Sequence, residues 1–211
     1  MLQHLLDALF PRRSLTGKEG EWVTPEEHAA FESHPVVLPL AHLRAEGITH
    51  LDRLVAGGTY AGNALLKQAI WTMKFRRISA LAGDLGHLLL MGAAQIDAHD
   101  AVVVPVPLHW SRRFWRGFNQ AQILAKIVVA ARQLPYQNLL RLTRPTGFQS
   151  HRSRCERRAA LHGAFRPIGA APKRIILIDD VATTGATLDA CACVLKAAGA
   201  IWVEGWVIVR G

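Results

Sequence analysis

Residues 174–188 read RIILIDDVATTGATL: an apolar run meets two adjacent carboxylates, and a Gly/Thr-rich turn follows at once. The run 175–178 is rich in β-branched side chains and has no polar break, which suits a strand buried on both faces of a parallel sheet. Strands of that kind need helices on both sides of the sheet, so this short stretch already directs the chain towards an α/β architecture.

The strand is predicted over 174–178, which puts Asp179 and Asp180 at its C-terminal edge. In open α/β sheets that edge is where ligands bind. Val181 and Ala182 lead into Thr183, Thr184, Gly185, Ala186 and Thr187, a turn with hydroxyls and an unhindered backbone. The periodic segment after it predicts a helix over 184–198, and the N–H groups and dipole of a helix start make such a turn a phosphate cradle. Two acids cannot serve phosphate, because like charges repel. They can accept hydrogen bonds from ribose hydroxyls, or help hold, directly or indirectly, a Mg²⁺ that bridges ribose and phosphate. The competing account is an ordinary βα turn with an N-capping Thr and incidental acids.

Composition fits a compact protein with one sizeable domain, or one domain and an appendage. Half of the 211 residues are hydrophobic, yet no uninterrupted apolar run reaches the ~18 needed to cross a membrane. Residues 1–10 lack a basic stretch ahead of an apolar core and are not expected to be a secretory signal. Of the cysteines Cys155, Cys191 and Cys193, the last two lie two apart on the predicted helix and read as small buried residues rather than a disulfide or metal set, and a reducing cytoplasm is expected. The formal charge of +9 is concentrated: residues 105–166 hold twelve Lys/Arg and one acid, Glu156, a local excess of +11. That concentration suggests a polyanionic ligand.

Along the chain, an irregular front is expected over 11–50, then a β segment over 51–60 and helices over 64–74 and 78–92. A buried strand is predicted at 101–106, a helix at 117–133, a short strand at 139–142, a charged helical or mobile stretch at 153–161, and a last strand at 202–209. Strands alternating with helices imply parallel βαβ units. Two units follow, a small N-terminal module over 1–54 and the α/β domain over 55–211.

The second informative stretch is residues 102–122, VVVPVPLHWSRRFWRGFNQAQ. Prolines end the buried strand, a loop carries Arg112, Arg113 and Arg116, and Gly117-Phe118-Asn119-Gln120 opens a helix. Guanidinium groups beside a helix start are well placed to grip pyrophosphate. A solvated basic loop with Trp110, Phe114 and Trp115 packed on the core is the equally weighted alternative.

The hydrophobic run–Asp-Asp–x-x–Thr-Thr-Gly-x-Thr pattern, complete over 175–187, resembles the phosphoribosyl pyrophosphate (PRPP) signature of type I phosphoribosyltransferases. Together with PVPLHWSRRFWRGFNQA, QSHRSRCERRAAL (149–161) and the helix LLKQAIWTMKFRRI (65–78), it is similar to the ComF family, competence-associated proteins with a phosphoribosyltransferase-like domain. The resemblance covers about residues 55–211. It implies a type I phosphoribosyltransferase fold, a Rossmann-like parallel sheet of about five strands flanked by helices, with a small irregular N-terminal extension. It also implies that Asp179 and Asp180 hold the ribose hydroxyls, that residues 179–187 form the PRPP site, and that Arg112, Arg113 and Arg116 line the pyrophosphate side. Residues 149–158 correspond to a loop that closes over the site, with Arg154 acting beside the acid pair. Family members usually begin with a zinc module of paired cysteines, whereas residues 1–50 have none, and His4, His28, His34 and His42 stand there without cysteine partners. No structural zinc is therefore expected.

Two functions from different classes fit these residues. One is transfer of phosphoribosyl from PRPP to a nitrogen acceptor, with Mg²⁺. The other is a non-catalytic nucleotide sensor or single-stranded-DNA-handling protein, in which Trp110, Phe114, Trp115, Phe118 and Phe148 stack bases. Expected partners are PRPP or a related ribose phosphate, with single-stranded DNA and a second copy of the chain as further candidates, and no membrane insertion.

Overall fold

The computed structural model describes residues 13–31, 34–75, 78, 80–108, 117–143, 161 and 163–211. Its centre is a five-stranded sheet built from β1 (Val36–Pro39), β2 (Arg53–Thr59), β3 (Val102–Pro105), β6 (Arg174–Ala182) and β7 (Trp202–Arg210), in the order β1-β2-β7-β6-β3. β2, β7, β6 and β3 run parallel, and β1 adds an antiparallel edge beside β2. The chain thus has the expected α/β class, a five-stranded and mostly parallel sheet flanked by helices.

The uninterrupted apolar strands are explained by what covers them. On one face lie α3 (Ala64–Phe75), α4 (Leu81–Gly92) and α5 (Gln120–Arg132), which bury Ile70, Met73, Leu85, Leu89 and Leu124 against Ile176, Ile178, Trp206 and Ile208. On the other face lie α2 (Leu40–Ala45) and α6 (Ala186–Ala197), whose Leu43, Leu188 and Leu195 meet Ile175, Leu177, Val203 and Val207. A separate antiparallel pair, β4 (Leu140–Leu142) and β5 (Phe165–Pro167), adds Leu140 and Phe165 to that second face. β5 was not anticipated, because three residues ending in proline carry too little period-2 pattern to read.

The front of the chain is more ordered than expected. α1 (Pro25–Ala29) opens with a reciprocal capping box between Thr24 and Glu27. The Glu27 carboxylate also accepts from the Ser14 hydroxyl at 2.8 Å and the Thr16 N–H at 2.6 Å. Burial works against that charge, but the hydrogen bonds prevail and hold the carboxyl down at about 2. With β1 paired to β2 and α2 packed on the sheet, the stretch 11–50 is not simply irregular. Its polar composition conceals caps and a short edge strand, and residue 54 lies inside β2.

α4 crosses β2 at a contact only glycine allows. A Cβ on Gly92 would stand 2.7 Å from the Gly57 Cα and 2.8 Å from the Ala56 carbonyl oxygen, and neither backbone atom can yield cheaply. Gly92→Ala should therefore lower the unfolding free energy by about 1–3 kcal/mol in urea titration. Gly83→Ala on the same helix, where a Cβ meets open space, should cost nothing.

Candidate functional site

β6 is longer than the apolar run suggests. It continues through Asp179 and Asp180 to Ala182, because β7 continues beside it, with Val181 opposite Val209 and Ala182 opposite Arg210. The acids therefore belong to the last part of the strand rather than following it, a correction to the strand end at residue 178. A charged side chain does not end a strand whose backbone still has a partner.

This placement separates the two carboxylates, since successive side chains of a strand point to opposite sheet faces. Asp180 turns to the α3 face, where the Lys74 ammonium lies 2.8 Å from its Oδ1, with 18% and 11% of the two side chains exposed. Tyr60, just beyond β2, stands on the same side. Burial, and then the charge of Asp180, push its phenol up to about 12, so it stays protonated at neutral pH. Asp179 lies on the α6 side, where burial and then the Asp179 charge push the Cys191 thiol up. The Asp180 N–H donates to Asp179 Oδ1 at 2.9 Å and fixes the carboxylate against its own strand.

Thr183 and Thr184 then lead to Gly185, which caps α6 with φ 68°, and the Thr184 hydroxyl accepts from the Ala186 N–H at 3.4 Å. The first N–H groups of α6 have no intrahelical acceptors and point towards the turn. A Cβ at Gly185 would run into Ile48 Cδ1, so this glycine answers to packing as well as to ligand approach. Ala186 and Thr187 form the first helical residues.

Neighbouring strand ends complete the edge. Arg210 donates to the Ala182 carbonyl at 3.0 Å and pairs with Glu46, while the Gly211 N–H donates to the same carbonyl at 3.0 Å. From β3, the Val106 N–H donates to the Ile178 carbonyl at 2.9 Å, which brings the Pro-Val-Pro run level with the acids. Asn119 caps α5, accepting from the Ala121 N–H at 3.1 Å and donating to the Val106 carbonyl at 3.1 Å. A cleft of about 360 Å³ opens there between Pro105, Pro107, Asn119, Gln122 and Arg141.

Asp179, Asp180, Val181, Ala182, Thr183, Thr184, Gly185, Ala186 and Thr187 thus share one edge. Arg112, Arg113, Arg116 and Arg154, like the stretch 149–158 and the aromatics Trp110, Phe114, Trp115 and Phe148, lie outside the described residues. Lys74 and Tyr60 were not read as site residues. The only signal was the lysine ending the helix at 65–78.

Known proteins bear on this arrangement. The DNA utilization protein YhgH of Escherichia coli O157:H7 is 34% identical over 169 residues, 75% of this chain and 72% of that protein. Competence protein ComFC of Bacillus subtilis is 34% identical over 158 residues, 72% of this chain and 62% of that one. The chain belongs to the ComF family. Competence protein F of Haemophilus influenzae is 31% identical over 113 residues, 51% of this chain and 49% of that protein. No family model matches the sequence. One solved structure, of the allosteric regulatory enzyme of purine biosynthesis, matches 60% of this chain and 25% of that chain at TM-score 0.40 and 21% identity. Among the described residues no helix is long and apolar enough to cross a membrane.

Gly185→Ala should lower stability by about 1–2 kcal/mol from left-handed backbone strain, plus the clash with Ile48. Adding Ile48→Val should restore only the second part, so chemical denaturation of the single and double variants separates backbone strain from crowding.

Proposed function

We propose that the chain binds PRPP, or a related ribose phosphate, at the C-terminal edge of its sheet and transfers the phosphoribosyl group to a nitrogen acceptor. The acceptor's lone pair forms the bond to ribose C1 as the C1–O bond breaks. Pyrophosphate leaves with that electron pair, and the nitrogen gives its proton to solvent. The observation that carries this reading is the acid pair of β6, set shortly ahead of the glycine-capped start of α6. Asp179 and Asp180 accept from ribose hydroxyls, and the turn from Thr183 to Thr187 receives the 5′-phosphate through backbone N–H groups. Arg112, Arg113 and Arg116 are assigned to the pyrophosphate, and Arg154 to catalysis with the acid pair, by their place in the sequence.

Magnesium fits this site as an ion brought by the ligand. Among the described residues no group of three or more His, Cys, Asp or Glu could hold a metal, and Asp180 already faces Lys74. Asp179 and Asp180 are the residues that would hold Mg²⁺, directly or indirectly, together with oxygens of the ligand. When bound, the ion neutralises charge on the departing pyrophosphate. The chemistry demands no strong general base, and the protein's part is to orient and to stabilise charge.

Asp179→Asn should weaken PRPP binding by about 1.5–3 kcal/mol in calorimetry, with the melting profile retained, because it removes a charge-assisted acceptor without changing shape. Unchanged affinity would refute the assignment of Asp179. Pyrophosphate release with a panel of amine and base acceptors tests the transfer itself.

A second reading rests on one surface feature. Trp71 and Phe75 lie with ring centres 5.5 Å apart and tilted by 33° on the outer face of α3, 51% and 37% exposed, with Lys67 one turn before them. Relatives named for DNA utilization and competence make single-stranded DNA the ligand to try. Base stacking on such a pair is worth about 1–3 kcal/mol per base. Trp71→Ala should therefore weaken oligonucleotide binding at low salt by roughly tenfold or more while leaving PRPP affinity intact. Equal oligonucleotide binding by the variant and the parent protein would remove α3 from the DNA reading.

A further inference from the structure

Lys74 reaches the acid pair from an element that the Asp-Asp and Thr-Thr-Gly motif does not include. It sits in the last turn of α3, and its ammonium meets Asp180 Oδ1 at 2.8 Å in a pair largely withdrawn from solvent. An ammonium carries three donors and a carboxylate two oxygens. The contact therefore leaves donors on Lys74 and acceptor capacity on Asp180 for a molecule that enters between α3 and the sheet edge.

We propose that Lys74 is a specificity-determining contact for an anionic group at ribose C1, distinguishing a 1-pyrophosphorylated ribose from ribose 5-phosphate. This rests on the ribose-phosphate reading of the site. If Asp180 accepts from a ribose hydroxyl, the adjoining C1 substituent lies within a few bonds of that carboxylate and hence close to the ammonium. Taking up the second anion costs Lys74 little, because it is already positioned by the first. The pairing also explains why a lysine belongs here. A hydrated point charge on a flexible stem can shift between carboxylate and phosphate oxygens, whereas the planar fork of Arg favours fixed bidentate pairing.

A purely structural role makes a different prediction. If Lys74 only neutralises buried Asp180, its loss should weaken every ligand that uses Asp180 by the same factor. The test is calorimetry on the full chain at fixed Mg²⁺, titrating PRPP and ribose 5-phosphate separately into the parent protein, Lys74→Gln and Lys74→Arg. The expected result is a tenfold or greater loss of PRPP affinity in Lys74→Gln, with ribose 5-phosphate changed less than twofold. Lys74→Arg should recover only part of the PRPP affinity, because it restores the charge but not the shifting point contact. Equal losses for the two ligands, or no loss for either, would overturn the proposal. Should Lys74→Gln fail to fold, Lys74→Gln/Asp180→Asn is compared with Asp180→Asn. Lower PRPP selectivity in the double variant supports the role, and equal selectivity overturns it. A parent protein that binds neither sugar phosphate sinks the site reading together with this one, whereas a parent that binds both, with selectivity untouched in Lys74→Gln, sinks this one alone.

Discussion

The parallel ladder between β6 and β7 is what the remaining architecture hangs on. The two strands pair from Arg174 opposite Trp202 to Ala182 opposite Arg210, and the aliphatic side chains of β6 from Ile175 to Ile178 are fully buried. A strand buried on both faces can keep its hydrogen bonds only with strands on either side and helices above and below. β3 and β7 supply the first requirement, and α5 and α6 the second. Because β7 outlasts the apolar part of β6, the ladder carries Asp179 and Asp180 past the core in an extended backbone. The pleat then sends one carboxylate to each face, which a turn after the strand would not have ensured. Lys74 compensates the more buried of the two, where an unpaired charge would be costly.

The ligand turn is braced from the chain's own front. Residues 46–52 run along α6 and are tied to it and to β7 mostly through acids. Glu46 pairs with Arg210, and Ile48 packs on Gly185. The Asp189 carboxylate accepts from the N–H groups of Thr49, His50 and Leu51 at 2.6–3.1 Å. Asp52 accepts from the Lys196 ammonium at 2.7 Å and the Val203 N–H at 2.8 Å. These contacts extend from the start of α6 to its end. Residues 46–52 thus touch α6 directly from Gly185 to Lys196. This gives the N-terminal part of the chain a structural link to the candidate site.

What was legible in the sequence was what a local signal carries. The apolar run of β6, the glycine-capped turn and the periodic helix after it lie within twenty-four consecutive residues, 174–197, so their order alone defines a strand–loop–helix unit. Elements whose identity depends on distant partners were missed. β1 reads as part of a polar, proline-flanked front because it is an edge strand whose pairing with β2 supplies the pattern. The end of β6 was misjudged for the same reason, since it is set by β7. Lys74 could not be placed because the helix bearing it is separated from Asp180 by more than a hundred residues. Its position also looks like that of any cation in the last turn of a helix, where it would offset the dipole.

The basic middle segment changes meaning once its described members are located. Arg132 is committed to the opposite edge of the sheet. It donates to the Ala93 and Ile96 carbonyls at 3.3 and 2.6 Å, with its guanidinium 5.8 Å from the Trp206 ring centre. Arg141 and Arg166 stand directly across from each other on β4 and β5, exposed to solvent. Like charges in that register are unfavourable for the strand pair itself, so these two residues do not owe their place to sheet stability. The local excess of +11 is consequently divided among a structural arginine, an exposed lysine (Lys126), an arginine pair on the small β4–β5 ladder, and residues outside the described ones, of which Arg112, Arg113 and Arg116 are those named for pyrophosphate. A polyanion bound along this segment would meet fewer charges than the count suggests. The slope of its salt dependence, which follows the number of phosphates actually contacted, measures that fraction rather than the net charge.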